Sequence, residues 1–305
     1  MKKNRTLRTF KKNAELFTLS FPSMLYIFIM AYVPMFGIII AFKNYQYDKG
    51  MFGSEWIGWK NFEFLFVSDT AYRITRNTVL YNLGYLALTT LCALALAILL
   101  NEIAKKWLKI YQTALILPFF LSWVVVGYIA LAFLDHENGY LNEWLSAFGM
   151  EPKEWYFSAV HWPYILVAVH LWKSIGLSAM VYYAGILGID GEMYEAAKID
   201  GASKLQMIVK ITLPHLTSLI IILFILGLGN IFRGDFGLHY FIPNNSGMTY
   251  ATTDVIDTYV YRALSKVGDV GMASAVGLYQ SIVGLVTVVL ANYAVRKINE
   301  EHSLY

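Results

Sequence analysis

Three polar side chains lie close together inside an apolar stretch of this 305-residue sequence. His170, Lys173 and Ser174 are spaced i, i+3 and i+4, so on a helix they share one face. An imidazole, an ammonium and a hydroxyl can donate hydrogen bonds to a polar solute or to a neighbouring helix. Ionisable groups within a membrane helix are costly unless they find a partner or a watery cavity. These residues are therefore the first candidates for a solute pathway.

The polar segment Glu195–Pro214 is a second candidate, because it lies between two apolar runs of membrane length and reads EAAKIDGASKLQMIVKITLP. Asp190 can accept hydrogen bonds from the first free amides of a short helix there. Ala196 and Ala197 give that helix a bare face that another protein can approach, and Gly201 can end it with a positive φ. A helix this short needs a partner surface. The pattern predicts a docking element, and the simpler alternative is an ordinary amphipathic interfacial helix.

Common catalytic motifs are absent from the sequence. It contains no G-x-x-x-x-G-K-[ST] phosphate loop, no H-E-x-x-H pair and no G-x-S-x-G elbow, which disfavours a membrane enzyme. Cys92 is the only cysteine, so neither an internal disulfide nor a cysteine zinc cluster can form. Asp135, His136 and Glu137 are adjacent and their side chains diverge, so no metal site is expected. No Asp or Glu lies inside the apolar runs, which disfavours an ion-coupled carrier.

The elements that must position these residues are membrane helices. The chain is 57% hydrophobic and 15% charged, whereas a soluble domain carries about a quarter charged residues. Its apolar residues come in continuous blocks near the roughly 20 residues that a helix needs to cross a bilayer, which excludes a barrel. We expect an all-α integral membrane protein with six transmembrane helices at 16–42, 78–100, 111–134, 163–187, 213–232 and 271–294.

Lysine and arginine are distributed unevenly between the loops. With the N-terminus inside, the cytoplasmic segments hold fourteen basic residues and the much longer outer segments hold nine. Cytoplasmic loops of membrane proteins carry the excess of such residues. Both termini are therefore predicted to be cytoplasmic, as is the loop that contains Glu195. The cytoplasmic segments are 1–15, 101–110, 188–212 and 295–305.

The outer loops are long and rich in aromatic residues. An interfacial aromatic belt explains them most simply. A docking surface for an extracellular partner is the alternative. The residues are Tyr45, Tyr47, Trp56 and Trp59 in the first loop and Trp144, Trp155 and Tyr156 in the second.

The spacing E-A-A-x3-G-x9-I-x-L-P, complete in this chain, resembles the signature loop of the membrane subunits of bacterial ABC importers. In that family the loop is a coupling helix that inserts into a groove on the ATPase subunit. The resemblance implies that separate ATPase subunits hold ATP and Mg²⁺, and that this chain is not an enzyme and carries no cofactor. It implies the coupling role for Glu195, Ala196, Ala197, Asp200 and Gly201.

The resemblance extends over most of the chain. Residues 20–46 resemble the first span of sugar permeases, whereas 116–134, 170–176 and 268–298 resemble more narrowly permeases for polysaccharides and complex oligosaccharides. It implies a type I importer fold (MetI-like), with one peripheral helix and a five-helix core. The implied divisions are 1–71 for the cytoplasmic N-terminus, first helix and outer loop, 72–294 for the transmembrane domain, and 295–305 for a cytoplasmic tail.

The same resemblance implies a location and a set of partners. We expect a multi-pass protein of the bacterial cytoplasmic membrane, in contact with lipid and not with nucleic acid. The expected partners are a second, different permease subunit, two ATPase subunits and an extracellular solute-binding protein. The expected substrate is a carbohydrate, an oligo- or polysaccharide. The alternative is an ABC importer permease for another solute, such as an amino acid, a peptide or phosphate.

The candidate substrate path combines aromatic and polar side chains. Aromatic rings stack on the apolar faces of sugar rings, and polar groups satisfy the sugar hydroxyls. Phe119 and Trp123 are expected to share a face of the third span, and Asn230 to lie near the outer end of the fifth. The alternative is that the polar groups form helix–helix hydrogen bonds and the rings serve packing. The assigned path residues are Phe119, Trp123, His170, Lys173, Ser174 and Asn230.

Overall fold

The computed structural model describes residues 13–298, which are largely helical and include one two-stranded hairpin. Residues 1–12 and 299–305, which hold much of the predicted cytoplasmic termini, lie outside the described part. The α-helices are α1 Ala14–Ile27, α2 Gly50–Gly53, α3 Glu63–Val67, α4 Asp69–Glu102, α5 Lys105–Ile116, α6 Trp123–Leu134, α7 Tyr140–Ala147, α8 Trp162–Leu187, α9 Gly191–Ile199, α10 Lys204–Met207, α11 Leu213–Leu228, α12 Phe236–Phe241, α13 Tyr250–Thr253, α14 Ile256–Arg262 and α15 Val270–Ile298.

Short π-helical and 3-10 segments extend or connect several of the α-helices. The π-helical segments are Phe28–Tyr32, Ile208–Thr212 and Ala263–Val267. The 3-10 segments are Val33–Phe42, Lys60–Phe62, Leu117–Phe120, Trp155–Phe157, Ala159–His161 and Gly247–Thr249. The strands β1 Lys43–Asn44 and β2 Glu55–Trp56 pair antiparallel after the first span, with Lys43 opposite Trp56.

The described residues contain five helical segments that are long and apolar enough to cross a membrane, which confirms the predicted all-α membrane class. A bent pair of helices makes a sixth span when its two halves are counted together. Several segments are longer than predicted, because a helix satisfies its own backbone and can extend past the apolar run into water. The segments are Ala14–Phe42, Asp69–Glu102, Lys105–Phe120 with Trp123–Leu134, Ala159–Leu187, Lys204–Leu228 and Val270–Lys297.

The third span is not the single helix that its hydropathy predicts, because its two halves meet at 97°. Pro118 lies in the 3-10 turn that ends the first half, where a proline interrupts the regular helical hydrogen bonds. Leu121 and Ser122 are extended, and the Ser122 hydroxyl accepts a hydrogen bond from the Val125 amide at 3.3 Å to start α6. The expectation that Phe119 and Trp123 share one face of a continuous helix is therefore wrong.

The fifth span begins earlier than predicted. Ser203 and Gln206 form a reciprocal capping box at its start, so the helix is already formed when it reaches the membrane. Pro214 lies at the start of α11, directly after the π-helical turn Ile208–Thr212. Such a wide turn accommodates the amide that proline lacks. The second half of the polar segment and the span consequently form one continuous helical segment from Lys204 to Leu228.

The core lies between α4 and α8 and is extended by the other spans. One half contains Tyr85, Trp162 and Leu166, all buried. In the other half, which lies nearer the Glu195–Pro214 segment, small residues such as Ala93 and Ala179 allow the helices to approach closely. The first span, by contrast, is exposed along most of its length. This arrangement agrees with one peripheral helix outside a five-helix core.

A buried ion pair joins the helices of the segment between the fifth and sixth spans. An Arg262 guanidinium nitrogen lies 2.6 Å from a carboxylate oxygen of Asp254, whose side chain is only 1% exposed. The Thr258 hydroxyl also donates to Asp254 at 2.6 Å, and the guanidinium lies 4.1 Å from the centre of the Tyr250 ring. This pair is therefore part of the packed structure and is not a solvated surface ion pair. α13 and α14 pack over the core and exclude water from the pair.

Replacement of Arg262 by methionine should destabilise the protein strongly. The Asp254 carboxylate would stay buried without its cation, which costs about 3–5 kcal/mol of unfolding free energy in comparable sites. Thermal unfolding of the detergent-solubilised chain would measure the loss. Lys266→Met is the matched control, because Lys266 is exposed and should change the midpoint little. Equal midpoints for the two variants would contradict the structural role of the pair.

Candidate functional site

The short helix α9 is built as the sequence predicts. The Asp190 side chain accepts a hydrogen bond from the Glu192 amide at 3.0 Å and so caps the first turn. At the other end, the amides of Gly201 and Ala202 donate to the carbonyls of Lys198 and Ala197 at 3.0 and 2.9 Å. This is a Schellman motif, and it needs the positive φ of +79° at Gly201. The prediction that Gly201 ends this helix with a positive φ is confirmed.

Two contacts fix α9 and its continuation to the ends of the spans. The Tyr194 hydroxyl and the Thr212 hydroxyl lie 2.9 Å apart, which ties α9 to the π-helical turn of the fifth span. The Lys204 ammonium pairs with the Glu102 carboxylate at the end of α4. Between these contacts lies a cavity of about 320 Å³. The loop is thus attached to two spans without being packed into the core.

The outward side of the loop carries apolar residues that sequence reasoning did not single out. Ile199 is 86% exposed and Leu205 is 70% exposed. Glu195, Ala196 and Asp200 are exposed beside them, and Ala197 is half-buried. Large apolar side chains at such exposure on a polar loop are typical of a protein contact surface. The signal was present in the sequence, but only the fold shows which side of α9 faces outward.

Lys173 lies in the middle of α8 and is buried. Its ammonium contacts the carbonyl oxygens of Phe119 at 2.8 Å, Leu121 at 2.6 Å and Pro118 at 3.4 Å. It also lies 5.1 Å from the centre of the Trp123 ring and 5.6 Å from that of Phe119. The structure therefore brings three of the predicted path residues together at the bend of the third span. They meet through tertiary packing and not through a shared helix face.

His170 belongs to a buried cluster whose other members the sequence did not reveal. Its ring stacks on Tyr85 with centroids 4.0 Å apart and an interplanar angle of 13°. The Tyr85 hydroxyl lies 3.3 Å from Nε2 of His239, and Nδ1 of His239 lies 2.9 Å from the carbonyl oxygen of Thr253. Because a carbonyl only accepts, Nδ1 of His239 carries the proton and Nε2 accepts from Tyr85. Burial lowers the pKa of His239 to about 4, which keeps this ring neutral.

The remaining predicted path residues differ in position. Ser174 is half-buried on α8 next to Lys173. Asn230 is exposed in the turn after α11, where its carbonyl accepts a hydrogen bond from the Arg233 amide at 2.9 Å. Nδ1 of His170 is buried without a hydrogen-bond partner among the described residues. His170 is therefore the path candidate with unsatisfied hydrogen-bonding capacity.

Comparison with known proteins identifies the class to which this helix bundle and its exposed loop belong. Residues 89–300 match the family described as the binding-protein-dependent transport system inner membrane component. The chain belongs to this family. It is an inner-membrane permease of ABC-importer type that crosses the membrane several times, and it is not an enzyme.

Individual relatives cover nearly the whole chain. It is 35% identical over 98% of its length to the polygalacturonan/rhamnogalacturonan transport system permease protein YteP of Bacillus subtilis (strain 168), of which it covers 93%. It is 33% identical over 95% of its length to protein LplB of the same organism, of which it covers 91%.

Solved structures show the same fold. A chain in the crystal structure of a bacterial ABC transporter involved in the import of the acidic polysaccharide alginate superposes with a TM-score of 0.87 and 32% identity. The alignment covers 97% of this chain and 99% of that one. A second match is a chain in the crystal structure of the alginate transporter in complex with an alginate pentasaccharide-bound periplasmic protein. It gives a TM-score of 0.86 at 31% identity, and the alignment covers 96% of this chain and 98% of that one.

Replacement of Gly201 by alanine should loosen α9. A residue with a side chain pays roughly 1–2 kcal/mol for the left-handed conformation, so the amides of α9 should exchange with solvent about fivefold faster or more. Hydrogen exchange followed by mass spectrometry measures this. Gly191→Ala is the matched control in the same helix, because Gly191 has an ordinary φ and open space around its Cα. Equal exchange in both variants would contradict the Schellman ending.

Proposed function

We propose that this chain is the permease subunit of an ATP-driven ABC importer that translocates a carbohydrate, and that it is coupled to separate ATPase subunits through the coupling loop, Glu195–Pro214. One observation carries the proposal: a capped, exposed helix with the complete E-A-A motif stands between two spans of a chain without a phosphate-binding loop. The exposed Ile199 and Leu205 supply the apolar part of a docking surface. The charged residues around them supply specificity.

The substrate class is inferred from the relatives. The permease YteP is named for polygalacturonan and rhamnogalacturonan, and the similar solved transporter imports alginate. Identity above 30% over nearly the full chain supports an oligo- or polysaccharide for this permease in preference to an amino acid, peptide or phosphate. The six path residues belong to the same proposal. His170, with its unpartnered Nδ1, and Ser174 are the members best placed to satisfy sugar hydroxyls.

The proposed assembly contains a second, different permease subunit, two ATPase subunits and an extracellular solute-binding protein. The similar transporter with a bound periplasmic protein supports the last of these. The excess of lysine and arginine in the loops supports an orientation with both termini and the coupling loop in the cytoplasm. In that orientation the hairpin and α7 lie outside, where the periplasmic or extracellular protein would dock.

The purified chain should not hydrolyse ATP. It lacks the backbone cradle and lysine that bind nucleotide phosphates, so turnover should appear only when the ATPase subunits are added. A phosphate-release assay on the chain alone and on the reconstituted complex measures this. Substantial turnover by the chain alone would overturn the proposed division of labour.

Glu195→Lys should weaken docking of the ATPase subunits by about tenfold, because it reverses a charge on the exposed face of α9. Gly201→Pro should have a similar effect, because it alters the turn that the glycine permits. Co-purification with the ATPase subunits and uptake of labelled oligosaccharide are the measurements. Glu15→Lys is the control, since Glu15 is likewise exposed in the first turn of a helix, the peripheral helix α1. Normal docking and uptake in both loop variants would exclude the coupling role.

A further inference from the structure

The bend in the third span releases backbone carbonyls that lipid cannot satisfy. The last four carbonyls of a helix have no partner within it, and inside a membrane they must be satisfied by the protein. At this bend the partner is a cation. The Lys173 ammonium reaches the carbonyls of Pro118, Phe119 and Leu121, which span the junction between the two halves. A positive charge is also favourable at a helix C-terminus.

A second contact on the same face of α8 holds the segment just before the bend. Gly176 follows Lys173 by three residues and lies against the backbone of Leu115. A Cβ atom at Gly176 would stand 1.8 Å from the Leu115 carbonyl oxygen, so no side chain fits there. One face of α8 therefore grips the third span on both sides of its proline.

The segment just after the bend is held by a further helix, α12. Trp123, the first residue of α6, packs on Gly237 so closely that a Cβ there would lie 1.9 Å from the indole ring. Asp235 caps the helix that carries Gly237, by accepting a hydrogen bond from the Leu238 amide at 3.2 Å. Burial raises the pKa of Asp235, and its backbone hydrogen bonds and the charge of Lys173 oppose that rise. The bend is enclosed, but its tip is not, since Phe120 is 78% exposed.

The helix that carries Lys173 also leads to the coupling loop. α8 runs without a break from Lys173 to Leu187, a distance of about 21 Å along its axis. Only three residues separate its end from α9. A continuous helix is stiff, so a displacement of α9 moves the face that holds the bend.

We propose that Lys173 is a positioning residue that fixes the bent form of the third span and transmits movement of the coupling loop to the bend. The transmission of movement from the coupling loop rests on the proposed function, whereas the fixing of the bend by Lys173 does not. In this assignment Lys173 acts through the backbone of residues 118–121. Contact with the passing solute is left to the other path residues, such as His170 and Ser174.

The bend can be measured directly with a spin label on each half of the third span. Tyr111 on α5 and Tyr128 on α6 are both exposed, so Tyr111→Cys and Tyr128→Cys can be labelled in a Cys92→Ser background. Electron–electron distances are recorded for the complex with its ATPase subunits in nanodiscs, first without nucleotide and then with MgATP and vanadate. No sugar is required, so failure of the carbohydrate assignment would leave this measurement unaffected.

The parent complex should give one narrow distance that shifts on nucleotide trapping. Lys173→Met should broaden the distance distribution without nucleotide. It should also change the ratio of bent to straightened third spans by about tenfold or more, which is the effect of losing a charge-assisted hydrogen bond. It should also abolish the shift on trapping. Lys173→Arg, which keeps a cation with several donors, should restore both. Lys266→Met, at an exposed position outside the hairpin and the coupling loop, is the control.

Other outcomes separate the alternatives. An unchanged distribution and trapping shift in Lys173→Met would overturn the proposal, and reduced uptake with an unchanged bend would assign Lys173 to solute contact instead. If the Lys173→Met complex does not assemble, the Lys173→Arg variant decides the question. Loss of both the narrow distance and the trapping shift in that variant, where a cation is still present, would overturn the role proposed for Lys173. Gly176→Ala should broaden the distribution as well, whereas Gly277→Ala, with open space at its Cα, should not.

Discussion

Backbone polar groups within a bilayer must find partners inside the protein, and the architecture of this permease depends on how that constraint is met at one bend. Five spans meet it with continuous helical segments. The third span is broken at Pro118, and the buried Lys173 ammonium satisfies the carbonyls that the break leaves free. The lysine and the proline are thus mutually dependent. A lysine without free carbonyls would be a costly buried charge, and a break without the lysine would leave orphan carbonyls in the membrane.

The loop that contains α9 satisfies its backbone in a different way. Its backbone is satisfied locally by an Asx cap at Asp190 and a Schellman ending at Gly201, so α9 holds its shape without a core around it. The contacts through Tyr194 and Lys204 attach it to two spans and leave its outer side uncovered. α9 therefore keeps its helical shape while its apolar side chains stay exposed. These two properties suit a surface that binds a partner.

α8 connects these two regions. It carries Lys173 and Gly176, which contact the bend, and the stacked His170, and three residues join its end to α9. Its packing against α4 buries Trp162 and Leu166 in one half, and Ala179 together with Tyr182 in the other. The helices α12–α14 complete the enclosure, with His239 and the Asp254–Arg262 pair buried among them. Polar groups that would be solvated in an ordinary loop are structural here.

The sequence by itself determined the membrane class, the number of spans and the form of the coupling loop. Hydropathy reports length in lipid, and caps, glycines and the E-A-A spacing act within a few residues of each other. The tertiary structure decided what no local pattern encodes. Pro118 marks a place where a helix can bend, but the 97° angle and the contacts of the bend with Lys173 and Gly176, more than fifty residues away along the chain, are seen only in the fold. Likewise, Tyr85 stacks on His170 and pairs with His239 only because three separate segments pack together, and side-chain chemistry at such distances in sequence is set by packing and not by spacing.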